Sequence, residues 1–372
     1  MIYLDSAATT FQKPAAVAAA MSDALSSMSS PGRGGYGAAM RAADTAFACR
    51  SEIAELFGMK NPEDVVFTMN ATHALNIAIK TLVPRGGRVV ISGYEHNAVT
   101  RPLRALEAKI DVAAGPLFSQ EAVAAAFDRL ITPDTDAVIC NHVSNVFGFV
   151  QPVERIAAIC RVRNVPFIID ASQSAGMIPL NMSTLGAAFI AMPGHKGLYG
   201  PQGTGVLLCG TEPKTLLEGG TGSLSIQQEM PDFLPDRLEA GTHNMPGIAG
   251  LLAGVRFVRQ QGSEQICHHE RLLAHKTAEG LRTLPGVKVY AMPDLAAQAG
   301  VLSFSVDGKD VEEIGGALGQ REIAVRAGTH CAPLAHQTVG TLSTGTVRIS
   351  FSHWNTDWEV SEFLRILSEI LV

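Results

Sequence analysis

The chain has 372 residues, of which 47% are hydrophobic and 17% charged, and its formal net charge is −6. This length allows two domains with a large core, and the composition excludes a disordered chain, which combines low hydrophobicity with high charge. Because the chain has neither a basic excess nor an apolar stretch of the roughly 18 residues that span a membrane, we expect no nucleic-acid and no membrane partner.

The amino end and the cysteines indicate the compartment. Residues 1–10 hold one acidic residue, Asp5, and lack the basic and apolar regions of a secretory signal. The six cysteines form no CxxC pair, and the histidines show no zinc-finger spacing. We therefore expect a cytoplasmic protein with reduced thiols and no bound metal.

Short apolar runs alternate with amphipathic stretches as far as about residue 241. The runs are apolar on both faces, as in strands of a buried, mainly parallel sheet, and apolar residues between them recur at helical spacing. Strands are expected at 65–67, 89–91, 137–140, 166–169, 187–191 and 205–208, and helices within 42–56, 75–82 and 153–160. The alternation predicts an α/β domain of three layers with right-handed crossovers.

The pattern changes after about residue 241. A Gly-rich polar stretch, 219–236, is interpreted as a mobile loop near a site. Helices are expected at 251–258, 264–284 and 360–371, and half-exposed strands at 301–306 and 347–351. This pattern predicts a smaller α+β domain, so we divide the chain into a large domain, 15–246, and a small domain formed by 1–14 and 247–372.

The strongest local signal is a lysine among glycines directly after a predicted strand, in Pro193–Gly197. Lys196 in a desolvated pocket would have a lowered pKa and could form a Schiff base, although a solvated loop lysine is an alternative. Asp170 ends the preceding strand, where it could cap a helix or pair with a buried cation. The protonated pyridine ring of pyridoxal phosphate (PLP) is such a cation.

Three segments in this order carry a resemblance: Asp170–Gln173, Gly194–Lys196 and Glu239–Thr242. They are similar to fold-type I PLP enzymes of aminotransferase class V, and more narrowly to the cysteine desulfurases and selenocysteine lyases. The resemblance begins at Tyr3–Thr10 and reaches Arg348 and Asn355–Thr356. It implies a homodimer, with a large α/β/α domain around a mainly parallel sheet and a smaller α+β C-terminal domain.

The resemblance also implies roles around the cofactor ring. Lys196 would be the Schiff-base lysine and then the group that moves protons. Asp170 would pair with the pyridine nitrogen. His96 would stack on the ring and move protons, the alternative being a histidine satisfied within its loop. Asn145 and Gln173 would reach the ring hydroxyl.

By the same resemblance, the phosphate group would be bound by Thr72, at the start of a helix, by His195, and by Thr242 of the partner subunit. Ordinary helix capping is the alternative for both threonines. Pro193 stands where the family usually has Ser or Thr, and Ala71 where a hydroxyl residue is common. Because proline offers neither a hydroxyl nor an N–H, we expect weaker cofactor binding with unchanged chemistry.

The C-terminal motif determines the reaction that the resemblance implies. Cys331 matches the family's nucleophile, with His330 or Arg326 expected to lower the pKa of its thiol. A buried structural cysteine is the alternative. Arg348, with Asn145, would bind the substrate's α-carboxylate, since a guanidinium suits bidentate recognition. For Arg348 a structural salt bridge remains the alternative.

The implied activity is that of a cysteine desulfurase. Sulfur would pass from L-cysteine to Cys331 as a persulfide and then to an acceptor protein, and L-alanine would leave. A selenocysteine lyase, an aminotransferase or β-lyase, and a PLP-carrying scaffold without turnover are the alternatives. Arg33, in an N-terminal Gly-rich loop, is expected to line the site.

Overall fold

The computed structural model of the protein describes residues 1–32, 34–292 and 297–371, so the expected position of Arg33 lies outside the described residues. The strands are β1 (Ile2–Tyr3), β2 (Val65–Thr68), β3 (Arg88–Ser92), β4 (Lys109–Ala113), β5 (Ala137–Asn141), β6 (Phe167–Asp170), β7 (Phe189–Pro193), β8 (Gly205–Cys209), β9 (Val287–Tyr290), β10 (Val301–Val306), β11 (Ile323–Ala324), β12 (Arg326–Gly328) and β13 (Thr346–Ser350). The helices are α1 (Ala15–Ser27), α2 (Gly37–Leu56), α3 (Ala71–Leu82), α4 (Asn97–Ala105), α5 (Gln120–Leu130), α6 (Val153–Arg163), α7 (Met182–Leu185), α8 (Met245–Gln261), α9 (Ser263–Arg282), α10 (Val311–Gln320), α11 (Pro333–Val339) and α12 (Asp357–Leu371).

A seven-stranded sheet in the order β2-β8-β7-β6-β5-β3-β4 forms the centre of the fold. Strands β3 to β7 pair in parallel, which confirms the mainly parallel sheet. The expected strand 205–208 forms as β8, but it runs antiparallel to both neighbours. Residues 194–204 contain no helix, and a parallel neighbour requires a longer crossover.

Helices cover both faces of this sheet and confirm the three layers. On one face, α2, α5 and α6 pack through residues such as Ile53, Phe127 and Ile156. On the other face, α3 and α4 pack through residues such as Leu75 and Leu103. Strand β4 was not predicted, because the charged residues Lys109 and Asp111 interrupt the apolar run of this edge strand.

The C-terminal part contains a four-stranded antiparallel sheet in the order β12-β13-β10-β9. The strands expected at 301–306 and 347–351 form as β10 and β13, but the expectation that they are half-exposed was wrong, because residues 145–146 cover the face that carries Ser303 and Arg348. It shares a core with α9, α10 and α12. Residues 2 and 4 join this core, and β1 pairs in parallel with β11. Helix α8 packs against α1 and α2. The division between 246 and 247 stays a prediction.

The segment from residue 210 to residue 244 contains neither helix nor strand, as expected of a loop. Within the described part of the chain, no helix has the length and apolarity needed to cross a membrane.

Candidate active site

Polar side chains gather at the carboxyl edge of the seven-stranded sheet, where ligands bind in open α/β folds. They surround a cavity of about 220 Å³. Its lining includes the predicted residues Thr72, His96, Asn145, Asp170, Gln173, His195 and Lys196. The structure therefore brings together seven side chains that are up to 124 positions apart in the sequence.

Lys196 follows β7 in a tight turn. The turn begins at Gly194, where a Cβ atom would lie only 2.1 Å from Thr204 Oγ1, so only glycine fits. The lysine side chain borders the cavity and is otherwise surrounded by protein. This burial lowers the pKa of Lys196 to about 8, while the charge of Asp170 acts in the opposite direction. The environment differs from that of a solvated loop lysine, and it favours the free amine that attacks carbonyl carbon.

Asp170 ends β6 and is 4% exposed. Its Oδ1 atom accepts hydrogen bonds from the backbone N–H, at 2.9 Å, and the hydroxyl of Ser172. Its Oδ2 atom accepts no hydrogen bond from the described chain. Because Asp170 lines the cavity, this free oxygen is available to a ligand cation.

His96 precedes α4 and caps it, since its Nδ1 atom accepts the N–H of Ala98 at 3.0 Å. In the neutral ring, the proton is therefore on Nε2. Burial lowers the pKa of His96, and the nearby negative charge of Asp170 opposes this shift. The side chain thus serves its own loop and borders the cavity at the same time.

Asn145 and Gln173 both use part of their amide groups within the protein. Asn145 Nδ2 donates to the carbonyl of His330 at 2.8 Å, and Gln173 Nε2 donates to that of Ala7 at 2.9 Å. The Oδ1 atom of Asn145 is buried and has no partner within the described residues. A donor from a ligand would satisfy it.

Two of the predicted phosphate-binding residues, Thr72 and His195, line the same cavity. Helix α3 begins at Ala71, and the backbone N–H groups of Ala71 and Thr72 make no hydrogen bond within the described chain. A helix start of this kind attracts anions. His195 is held by Thr9, whose Oγ1 lies 3.0 Å from Nδ1. Pro193 also lines the cavity, and the expected weakening of cofactor binding stays a prediction.

Thr242 does not line the cavity with Lys196. It lies in a second cavity of about 230 Å³, beside Met69 and His73. The preceding Glu239 is buried, and it accepts hydrogen bonds from Arg50 and from the backbone of residue 67. Within this chain, Thr242 is therefore separate from the other predicted phosphate ligands.

Arg348 is buried, with 2% exposed, and forms the salt bridge that the sequence left open as an alternative. Its Nη2 atom lies 2.6 Å from Asp5 Oδ1, and its Nη1 atom donates to the carbonyl of Asn145 at 3.0 Å. Its charge also contributes to the lowered pKa of Lys196, after burial. Binding of a substrate carboxylate by Arg348 stays a prediction.

Cys331 is exposed, unlike the other five cysteines, so it is not a buried structural residue. It lies in a strained turn, because His330 and Cys331 have φ angles of 50° and 56°. Two hydrogen bonds hold the turn, from Asn145 Nδ2 to the carbonyl of His330 and from the N–H of Asn97 to that of Cys331, both at 2.8 Å. The second bond places the thiol-bearing residue next to His96.

His330 and Arg326, which were expected to lower the pKa of the Cys331 thiol, bind other groups. His330 Nε2 lies 3.1 Å from the carbonyl of Thr346, and burial holds the pKa of His330 well below its usual range. A neutral imidazole offers no positive charge to a thiolate. Arg326 pairs with Asp5 at 2.9 Å. Neither side chain forms a hydrogen bond with the thiol in the described structure, because Thr346 on β13 binds His330 and Asp5 binds Arg326.

Sequence reasoning missed Glu95, which is completely buried. Its Oε1 accepts hydrogen bonds from Ser92 Oγ at 2.5 Å and from the N–H of Asn141 at 2.8 Å, whereas Oε2 has no partner within the described residues. Burial raises the pKa of Glu95 to about 8. Its position directly before His96 was the available signal.

Comparisons with known proteins agree with this geometry. Residues 2–363 match the family model described as aminotransferase class-V. The protein belongs to this family, whose model covers nearly the whole chain.

Similar relatives are more specific. A "probable cysteine desulfurase" of Methanothermobacter thermautotrophicus is 32% identical and covers 99% of this chain and 94% of its own length. Another, of Mycolicibacterium paratuberculosis, is 34% identical over 100% of this chain, which spans only 55% of that relative. The apo structure of a cysteine desulfurase from Thermococcus onnurineus superposes with a TM-score of 0.91 at 32% identity, covering 99% of this chain and 94% of the other.

Proposed function

We propose that the protein is a PLP-dependent cysteine desulfurase. One observation carries the proposal: the cavity that holds Lys196 and Asp170 lies at the same edge of the fold as Cys331, the one exposed cysteine. The names of the similar relatives and of the solved neighbour support it.

The residues around the cavity fit PLP in three respects. The free Oδ2 atom of Asp170 suits a protonated pyridine nitrogen. The unpartnered, buried Oδ1 atom of Asn145 suits the ring hydroxyl as a donor. The open N–H groups at the start of α3 suit a phosphate. Lys196 would hold the cofactor covalently.

When bound, PLP supplies an electron sink for the carbon atoms of an amino acid. Asp170 would pair with the pyridine nitrogen. Lys196 Nζ, with a pKa of about 8, can take a proton from the substrate's Cα and return it. His96 can donate from Nε2.

The exposed thiol would then receive the sulfur. As a thiolate, Cys331 Sγ would attack the sulfur of L-cysteine, and an S–S bond would form while the substrate's Cβ–S bond breaks. The bonding electrons pass to the substrate carbon, which is later protonated to give L-alanine. The sulfur stays on Cys331 as a persulfide.

Partners and compartment belong to the same proposal. An exposed Cys331 can present the persulfide to an acceptor protein. Exposed apolar residues at and along α2, Tyr36, Met40 and Phe47, together with the separate position of Thr242, support a homodimer that completes the phosphate site. We propose a cytoplasmic location for this enzyme.

Product analysis tests the function. With L-cysteine and a reductant, the purified protein should release alanine and sulfide in equal amounts. After borohydride reduction, mass spectrometry should find the cofactor on the peptide with Lys196, and Lys196→Ala should show no adduct. An adduct on another lysine, or pyruvate in place of alanine, would contradict the proposal.

A further inference from the structure

Two arginines and one aspartate form an ion-pair cluster beside the candidate active site. Arg326 on β12 and Arg348 on β13 are direct cross-strand partners, and like charges in such a pair repel each other. Asp5 lies between them, with Oδ1 2.6 Å from Arg348 Nη2 and Oδ2 2.9 Å from Arg326 Nη2. The cluster therefore has one positive charge in excess.

The most buried member of this cluster keeps an unused donor. Arg348 Nε is buried and has no partner within the described residues. A buried donor without an acceptor is costly, so an acceptor from outside the chain is expected here. Arg348 binds the backbone of Asn145, and the Asn145 side chain lines the cavity. The unsatisfied donor and the excess charge are thus both close to the place where a substrate would bind.

This inference rests on the proposed function, in which Arg348 receives the α-carboxylate of L-cysteine. We propose that Asp5 is a specificity-determining residue of this subsite, because it neutralises one guanidinium charge and limits the subsite to a single negative charge. A monocarboxylate brings the net charge of the cluster to zero. A dianion would place an excess negative charge beside the buried carboxylate of Asp5, which is unfavourable in a desolvated position.

The charge of the cluster can be changed in both directions. Asp5→Asn raises its net charge by one, and Arg326→Gln lowers it by one. Both variants are tested as holoenzymes, in which the phosphate group of PLP fills its own anion site. The probes are propionate and sulfate at constant ionic strength. The readouts are inhibition of L-cysteine turnover and the shift in melting temperature that each anion causes.

In the wild type, propionate should compete with L-cysteine, and sulfate should compete no better. In Asp5→Asn, the inhibition constant of sulfate should fall about tenfold, since one more positive charge acts in a place of low effective dielectric constant. In Arg326→Gln, propionate should bind several-fold more weakly. An unchanged inhibition constant of sulfate in Asp5→Asn, or tighter anion binding in Arg326→Gln, overturns the inference.

Further variants distinguish a failure of the inference from misfolding and from a failure of the proposed function. Asp5→Glu keeps the charge and should bind sulfate as the wild type does. Glu154→Gln removes an exposed carboxylate on α6, outside the cluster, and should not change anion binding. If Asp5→Asn does not fold, the half-exposed Arg326 still provides the test.

If propionate inhibits Arg348→Ala as strongly as the wild type, the proposed role of Arg348 fails. If Arg348→Ala abolishes that inhibition while Asp5→Asn binds sulfate normally, only the Asp5 inference fails.

Discussion

Lys196 and Asp170 both line the cavity, but their surroundings act differently on the two side chains. Burial disfavours the charged form of Lys196, whereas Asp170 is stabilised by the N–H and hydroxyl of Ser172. A lysine that can release its proton, beside a carboxylate held in place by hydrogen bonds, is the arrangement that proton abstraction from an amino acid requires. The pair therefore supports the proposed binding of PLP at this site.

The charge of Asp170 should be essential for proton abstraction. Asp170→Asn keeps the shape of the side chain and removes the charge, so turnover of L-cysteine should fall by about two orders of magnitude or more, since such electrostatic contributions amount to ~3 kcal/mol or more. Stopped-flow absorbance and steady-state alanine release measure the effect. Ser172→Ala, which keeps the carboxylate charge, is the matched control and should lose much less. Near-normal turnover in Asp170→Asn would show that the ring nitrogen is not used.

Loss of the Cys331 thiol should separate cofactor chemistry from sulfur transfer. Cys331→Ser should bind PLP and change its absorbance spectrum with L-cysteine, yet release almost no alanine, because a hydroxyl is a poor sulfur acceptor. Activity with L-selenocysteine should persist, since selenium leaves more readily. In the wild type without reductant, mass spectrometry should find one additional sulfur on the Cys331 peptide.

The exposure of the cysteines supplies the control for this experiment. Iodoacetamide should label only Cys331 in the native protein, since the other five cysteines are buried. Wild-type desulfuration by Cys331→Ser would refute the mechanism and favour a lyase or a transaminase.

At the scale of elements, Glu95 joins two neighbouring strands at the edge that carries the site. Its carboxyl group binds Ser92 at the end of β3 and the backbone of Asn141 at the end of β5. Asn141 is in turn the register partner of Asp170 on β6. A protonated Glu95 thus connects the three strand ends that position the cavity.

The protonation of Glu95 predicts a pH dependence of stability. Its folded-state pKa of about 8 lies above the usual value of 4.5 for a glutamate, so the folded protein binds an extra proton between these values. The stability that Glu95 contributes is complete below the unfolded pKa and is lost as the pH rises towards 8. Glu95→Gln keeps the hydrogen bonds without titrating.

Urea unfolding of wild type and variant between pH 5 and pH 8 measures this contribution. The wild type should lose up to about 1.4 kcal/mol more per pH unit than Glu95→Gln. Glu313→Gln, a change at an exposed glutamate of α10, should follow the wild type. Parallel curves for the wild type and Glu95→Gln would show that Glu95 is ionised in the folded protein.

At the scale of the whole molecule, the position of Thr242 predicts a shared site. Light scattering should give about twice the mass of one chain. Thr242→Ala should keep this mass and bind PLP more weakly, which equilibrium dialysis measures. A monomer with full activity at the assay concentration would overturn both the dimer and the shared phosphate site.

The sequence by itself determined the layered α/β fold, the order of its main elements and the residues at the strand ends. Buried strands and amphipathic helices produce local periodicities, so they can be recognised without knowledge of the folded chain. The segment around Lys196 was equally recognisable, because the glycines that permit its tight turn are adjacent to it in sequence. The family resemblance added roles to the same positions.

Only the tertiary structure decided the partners of the buried charges. Asp5 meets Arg348 across 343 positions of sequence, and His330 turns towards Thr346 instead of Cys331. The folded chain also decided the antiparallel direction of β8 and the contact of Glu95 with β5. Such pairings depend on where distant segments of the chain meet, and burial changes the pKa of a side chain only after they have met. Residue spacing identified the chemical groups of this protein, whereas long-range packing determined their charges and contacts.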